Sequence, residues 1–344
     1  HAWSIINCYL LNLVISVLPL AVAAVCFYRI CLRLLDGNRR WSVVLCATLF
    51  CGTLALPYST LLWGHTPAMA WVVIAMAGFL RGDKRGLFGG GLAGGIAVLT
   101  EYPAAVPVLV FTVAVMLKRD WRGLLYFLAG GLGPLIVFAV YHQICFGSPL
   151  VMASSYSQSD FIDADAAGGL FNFASAGPAA YGITFSPYRG LFWHMPVLLI
   201  TMALSPVLWK KHKLIAGICL ANIALMFILN LSFNGWHGGA CVGPRYQIPV
   251  LPFYVLLGVG IQGLSGRPKQ VAVTLLTAAI VVSVANMVVI TIVSPFAREY
   301  SKGMNPKWRN PLVTYYQGFF QYRVTHMLGT KRIRIEPVAR DELI

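Results

Sequence analysis

The 344 residues are 58% hydrophobic and 11% charged, with a mean hydropathy of +0.73. A soluble globule carries about 25% charged residues, so that class is excluded. The net charge of +15 is no nucleic-acid footprint either, because fifteen of the 26 Lys and Arg fall in five short clusters between apolar runs.

Those runs predict an all-α polytopic membrane protein with about ten transmembrane helices, over 4–28, 42–57, 66–80, 86–100, 103–117, 122–143, 190–209, 214–232, 246–265 and 270–293. Residues 1–293 are read as the membrane domain and 294–344 as an extracytoplasmic tail. The short alternating segments of an outer-membrane barrel do not occur. His1 follows no recognisable targeting segment, and the chain is expected to continue upstream of it.

The basic clusters mark one face: Arg29, Arg33, Arg39 and Arg40; Arg81, Lys84 and Arg85; Lys118, Arg119 and Arg122; Lys210, Lys211 and Lys213; Arg267 and Lys269. By the positive-inside rule this face is cytoplasmic, and 58–65, 101–102, 144–189 and 233–245 lie outside with His1 and the tail. Cys145 and Cys241 fall in outside loops and form the candidate disulfide pair. Gly89 to Gly91 and Gly94 to Gly95 stand within a span, where they let helices approach closely and do not make a nucleotide loop.

The outside segments hold the unusual residues. His65, after Trp63 and Gly64, is read first as a hydrogen-bonded structural residue at a helix start and second as a ligand. Glu101, in a very tight hairpin, is an acid at membrane depth, which calls for a cavity or a cationic partner. Asp160, Asp163 and Asp165 lack the spacing of a calcium loop and read as a solvated face. Tyr188, Arg189 and Gly190 close that segment at a span start. Residues 233–247 follow, with four glycines, Trp236, His237 and Pro244 ahead of Arg245 and Tyr246. So irregular a loop presenting a guanidinium suggests an anion site, against the alternative of a headgroup-snorkelling arginine. In the tail, 312–328 reads equally as a surface-lying amphipathic element or as an ordinary packed segment.

Four motifs carry a family resemblance. Leu62-Trp63-Gly64-His65, Leu99-Thr100-Glu101-Tyr102-Pro103, Ser186-Pro187-Tyr188-Arg189-Gly190-Leu191-Phe192 and Gly238-Gly239-Ala240-Cys241-Val242-Gly243-Pro244-Arg245-Tyr246 resemble, in order and spacing, a bacterial branch of the GT-C membrane glycosyltransferases. That branch is related to protein O-mannosyltransferases and to the aminoarabinose transferase of lipid A, and the likeness covers roughly 3–295.

The resemblance implies a bacterial inner-membrane enzyme with a GT-C-like bundle and periplasmic functional loops. It would pass a sugar from a polyprenyl-phosphate donor to a periplasmic or lipid acceptor. It also implies an upstream outside loop carrying the catalytic acid. Arg245 and Arg189 are then candidates for the leaving phosphate, and His65 and His237 for secondary phosphate or sugar contacts. Trp236, Tyr188 and Tyr246 would stack on the sugar, while Glu101 would orient an arginine, bind sugar hydroxyls or serve as the acid. His237 departs from the pattern, since relatives commonly carry a second aromatic there. No cofactor is assigned and divalent-cation dependence stays open. Membrane lipids and partner subunits are expected, nucleic acid is not. The competing readings are a non-catalytic GT-C-like subunit of a larger membrane complex and a transporter or flippase of lipid-linked substrates.

Overall fold

The computed structural model describes residues 2–151, 171, 173, 175–239, 241–293, 312, 313, 315, 316 and 319. Asp160, Asp163 and Asp165, and the tail beyond 319, lie outside them. Apart from one isolated bridge between Phe171 and Phe233, the described residues are helical or irregular. The helices are α1 (Ala2–Asn12), α2 (Leu18–Leu34), α3 (Arg39–Cys51), α4 (Ala55–Ser59), α5 (His65–Arg81), α6 (Lys84–Thr100), α7 (Ala105–Leu117) and α8 (Trp121–Phe146). They continue with α9 (Ala176–Thr184), α10 (Leu191–His194), α11 (Val197–Ala203), α12 (Ser205–Lys211), α13 (Lys213–Ser232), α14 (Leu251–Leu256) and α15 (Gly266–Val293).

The expectation of about ten spans is not met, and the described residues hold five candidates. Among the described residues, Ile6–Leu34, Trp121–Phe146, Lys213–Ser232, Arg245–Gly263 and Gly266–Val293 are long and apolar enough to cross a membrane. Helices α5 and α6 have 17 residues each, which at 1.5 Å per residue is about 25 Å against a hydrocarbon thickness of about 30 Å. The runs 42–57 and 190–209 break into pieces. Gly52 closes α3, and Pro196 and Pro206 divide α10, α11 and α12, because proline cannot donate into the helical ladder. Hydropathy counts apolar side chains and is blind to such breaks.

Close backbone packing builds one half of the bundle, where α6 lies chiefly against α5 and α8. A Cβ on Gly91 would sit 1.8 Å from the Phe127 carbonyl oxygen and one on Gly130 would sit 2.0 Å from that of Phe88. The glycines thus serve helix approach, as expected. The window of Arg245–Gly263 is 83% buried and that of Trp121–Phe146 only 22%, so the former is central and the latter faces outward. Leu312 and Tyr315 join the hydrophobic core, which settles the described part of the tail as packed.

Two side-chain bonds set the polarity of the bundle. Asn12 donates to the Ser59 carbonyl at 3.2 Å and Arg33 donates to the Leu80 carbonyl at 3.0 Å, so α2 and α5 run side by side in one direction. The basic clusters gather at the Leu80 end, where Lys211 pairs with Asp36 at 2.6 Å and Gln262 donates to the Leu35 carbonyl.

Candidate functional site

The opposite end assembles segments far apart in sequence. Gly64 caps α5, and a Cβ there would lie 2.7 Å from the Thr100 carbonyl oxygen, so the absence of a side chain lets the loop before α5 rest on the end of α6. That contact places the first residue of α5 against the last of the α6 turn. His65 Nδ1 donates to Glu101 Oε1 at 2.5 Å, with both side chains 11% exposed. Glu101 therefore takes a histidine as its partner and not an arginine. Its backbone is extended and leads into a 3₁₀ turn, Tyr102–Ala104, with Pro103 inside it.

An aromatic cage surrounds the pair. The His65 ring lies 5.9 Å from Tyr58, 5.9 Å from Trp63 and 6.0 Å from Tyr246, all edge-on. The Arg245 guanidinium carbon lies 5.0 Å from the Trp63 ring and 5.1 Å from Tyr246, and its Nη2 donates to Tyr246 Oη at 3.2 Å. Two aromatic rings thus line the cation, in cation–π range. Arg245 Nε is shut from solvent with no hydrogen-bond partner, and among the described residues no carboxylate pairs with Arg245.

Arg189 is fully buried, the largest such side chain in the described residues. Its Nη2 donates to the Gly239 carbonyl and, at 3.4 Å, to Tyr188 Oη, and its guanidinium lies 4.5 Å from the Tyr188 ring. The two arginines flank one dipeptide. A Cβ on Gly238, which has a φ of +74°, would come within 3.0 Å of Arg245 Nε, while Gly239 beside it carries the carbonyl that Arg189 holds. Both cations also act on Tyr58, whose hydroxyl donates to the Val242 carbonyl at 2.8 Å. Burial raises that hydroxyl well above the ordinary tyrosine pKa, Cys241 raises it further, and Arg189 and Arg245 pull it back. Tyr315 of the tail is likewise raised by burial and lowered by Arg189.

Not every sequence candidate enters the cage. Trp236 packs on α9, where a Cβ on Gly182 would meet the indole at 2.2 Å. His237 accepts from the Gly239 amide through Nδ1 at 3.1 Å and so braces its own loop. The candidate pair Cys145 and Cys241 does not form a disulfide: Cys145 is exposed and Cys241 is buried, both are free thiols, and Cys241 Sγ donates to the Gly238 carbonyl at 3.1 Å. Trp63 stands in the first motif without an assigned role and Tyr58 carries no sequence signal of its own, although both precede His65 closely in the chain. Among the described residues no group of three or more His, Cys, Asp and Glu side chains converges as a metal site. A cavity of about 510 Å³ beside Leu204, Arg267, Val271 and Leu275 opens at the basic end, away from this cluster.

Compared with protein-family models, with curated proteins and with solved structures, the chain finds no match.

Proposed function

We propose that the protein transfers a sugar from a polyprenyl-phosphate donor to a periplasmic or lipid acceptor, with Arg245 receiving the phosphate of the departing carrier. The observation that carries this reading is a guanidinium lined by two aromatic rings at the end of an apolar bundle, with no carboxylate of the described residues paired to it. An inverting transfer needs a fixed cation where charge develops on the leaving phosphate, and a cation held rigidly in a low-dielectric pocket supplies that stabilisation without reorganisation. Arg189, one carbonyl away across Gly238 and Gly239, adds a second positive charge. On this reading the chain is a GT-C-like bundle of the bacterial inner membrane with the cage on the periplasmic side, and the apolar flanks accommodate the polyprenyl chain.

The test uses the full-length protein in lipid nanodiscs with a panel of undecaprenyl-phosphate-linked hexoses and pentoses and a membrane-lipid extract as acceptor. Release of undecaprenyl phosphate is measured by mass spectrometry, alongside direct binding of undecaprenyl phosphate. Release from at least one donor, and loss of binding in Arg245→Ala, are expected. A protein that binds no undecaprenyl phosphate and turns over no donor is not this enzyme, and constant co-purification with fixed partner subunits would then point to a structural role.

A further inference from the structure

We infer that the His65 and Glu101 pair is the acid/base unit of this site, with His65 Nε2 taking the proton of the attacking acceptor hydroxyl while Glu101 holds the ring. The inference rests on the proposed transfer of sugar from a polyprenyl phosphate. It differs from the expectation of an upstream acid by placing the base within the described residues.

The geometry separates two roles on one imidazole. An ionised carboxylate only accepts, so the 2.5 Å contact to Glu101 Oε1 puts a proton on Nδ1, and in the neutral ring Nε2 then carries the basic lone pair. A nucleophile, a histidine that deprotonates it and a carboxylate that orients the histidine form a recurring catalytic arrangement, here with the substrate supplying the nucleophile. A pair serving only to pin two loops gains nothing from an idle oxygen. Among the described residues Glu101 Oε2 is nevertheless buried without a partner, which leaves the carboxylate acceptor capacity beyond its contact with the ring. The groups packed around His65 are Glu101 from the end of α6, Tyr58 from α4, Trp63 from the preceding loop and Tyr246 from a 3₁₀ helix, Arg245–Val250. Arg245 lies against two of the same rings, Trp63 and Tyr246. Base and phosphate-binding cation thus border one aromatic cage.

The acceptor oxygen bonds to the anomeric carbon of the sugar as the bond from that carbon to the phosphate oxygen breaks. The phosphate leaves with the bonding electrons and meets Arg245, the hydroxyl proton ends on His65 Nε2, and Glu101 stabilises the imidazolium until the proton returns to solvent.

Turnover and undecaprenyl-phosphate binding are measured for wild type, Arg245→Ala, His65→Gln, His65→Gly and Glu101→Gln in the same nanodiscs. His65→Gln is expected to lower kcat by about 10²- to 10⁴-fold while undecaprenyl phosphate still binds. The acid-side fall of the kcat–pH profile should vanish in that variant, and added imidazole should restore part of the turnover of His65→Gly, results that a merely structural histidine would not give. Glu101→Gln keeps the size and an accepting oxygen, so it decides the matter should a His65 variant fail to fold. Wild-type kcat in Glu101→Gln and His65→Gln, with Arg245→Ala impaired, overturns this inference and leaves the transferase intact. Absence of binding and turnover in the wild type removes both.

Discussion

The two ends of the bundle spend their charges differently. At the basic end, Lys211 meets Asp36 and Arg81 meets Asp83 at exposed positions, with most of the cluster residues around them solvated. At the other end a fully buried arginine and an arginine lined by two rings border one glycine loop, beside a largely buried histidine–glutamate pair. Exposed pairs contribute about 0–1 kcal/mol and serve to set topology. Buried charges cost several kcal/mol to desolvate, so their concentration at one end marks where function outweighs stability.

The contrast can be broken in four places. Arg245→Ala should reduce turnover about 10²- to 10³-fold, the usual effect of removing a preorganised donor, with Arg245→Lys recovering little because an ammonium lacks the planar fork of donors. Steady-state release of undecaprenyl phosphate reads it. Arg189→Ala leaves a void and strands the Gly239 carbonyl, and a loss of about 3 kcal/mol is expected in thermal or denaturant unfolding in detergent. No cluster arginine at the basic end should approach that value. Gly238→Ala forces a side chain onto a left-handed backbone and onto the Arg245 stem. The expected cost is about 1–2 kcal/mol, with weaker binding of undecaprenyl phosphate than the stability change alone explains.

The smallest effect belongs to the basic end. The hydrogen bond from Lys211, and then its charge, hold the Asp36 carboxyl below its ordinary pKa. A lowered carboxyl pKa stabilises the fold above the unfolded value of about 4, and the gain is lost as pH falls through the lower folded value. Asp36→Asn should therefore melt almost as wild type does at neutral pH, and the remaining difference should disappear in strong acid and at high salt. A large effect there would erase the distinction between the ends.

Much of the site was legible in the chain. Glycines beside Arg189 and Arg245, and an isolated Glu101 at a tight turn, are costly features in an apolar sequence and point to a site without coordinates. Pairings were not legible. Glu101 meets His65 because Gly64 lets a loop lie on the Thr100 carbonyl, and Trp236 leaves the cage because Gly182 opens a slot on α9. Both depend on which backbones touch.

Composition and charge periodicity alone determined a helical membrane protein, the segregation of its basic loops and the residues at odds with their surroundings. These follow from solvation energies that each residue carries wherever the chain goes. Tertiary structure decided how many runs survive as spanning helices, which carboxylate faces which ring, and that two arginines 56 positions apart border one dipeptide. Those outcomes depend on backbone breaks and close contacts between distant segments, and only the folded chain brings them together.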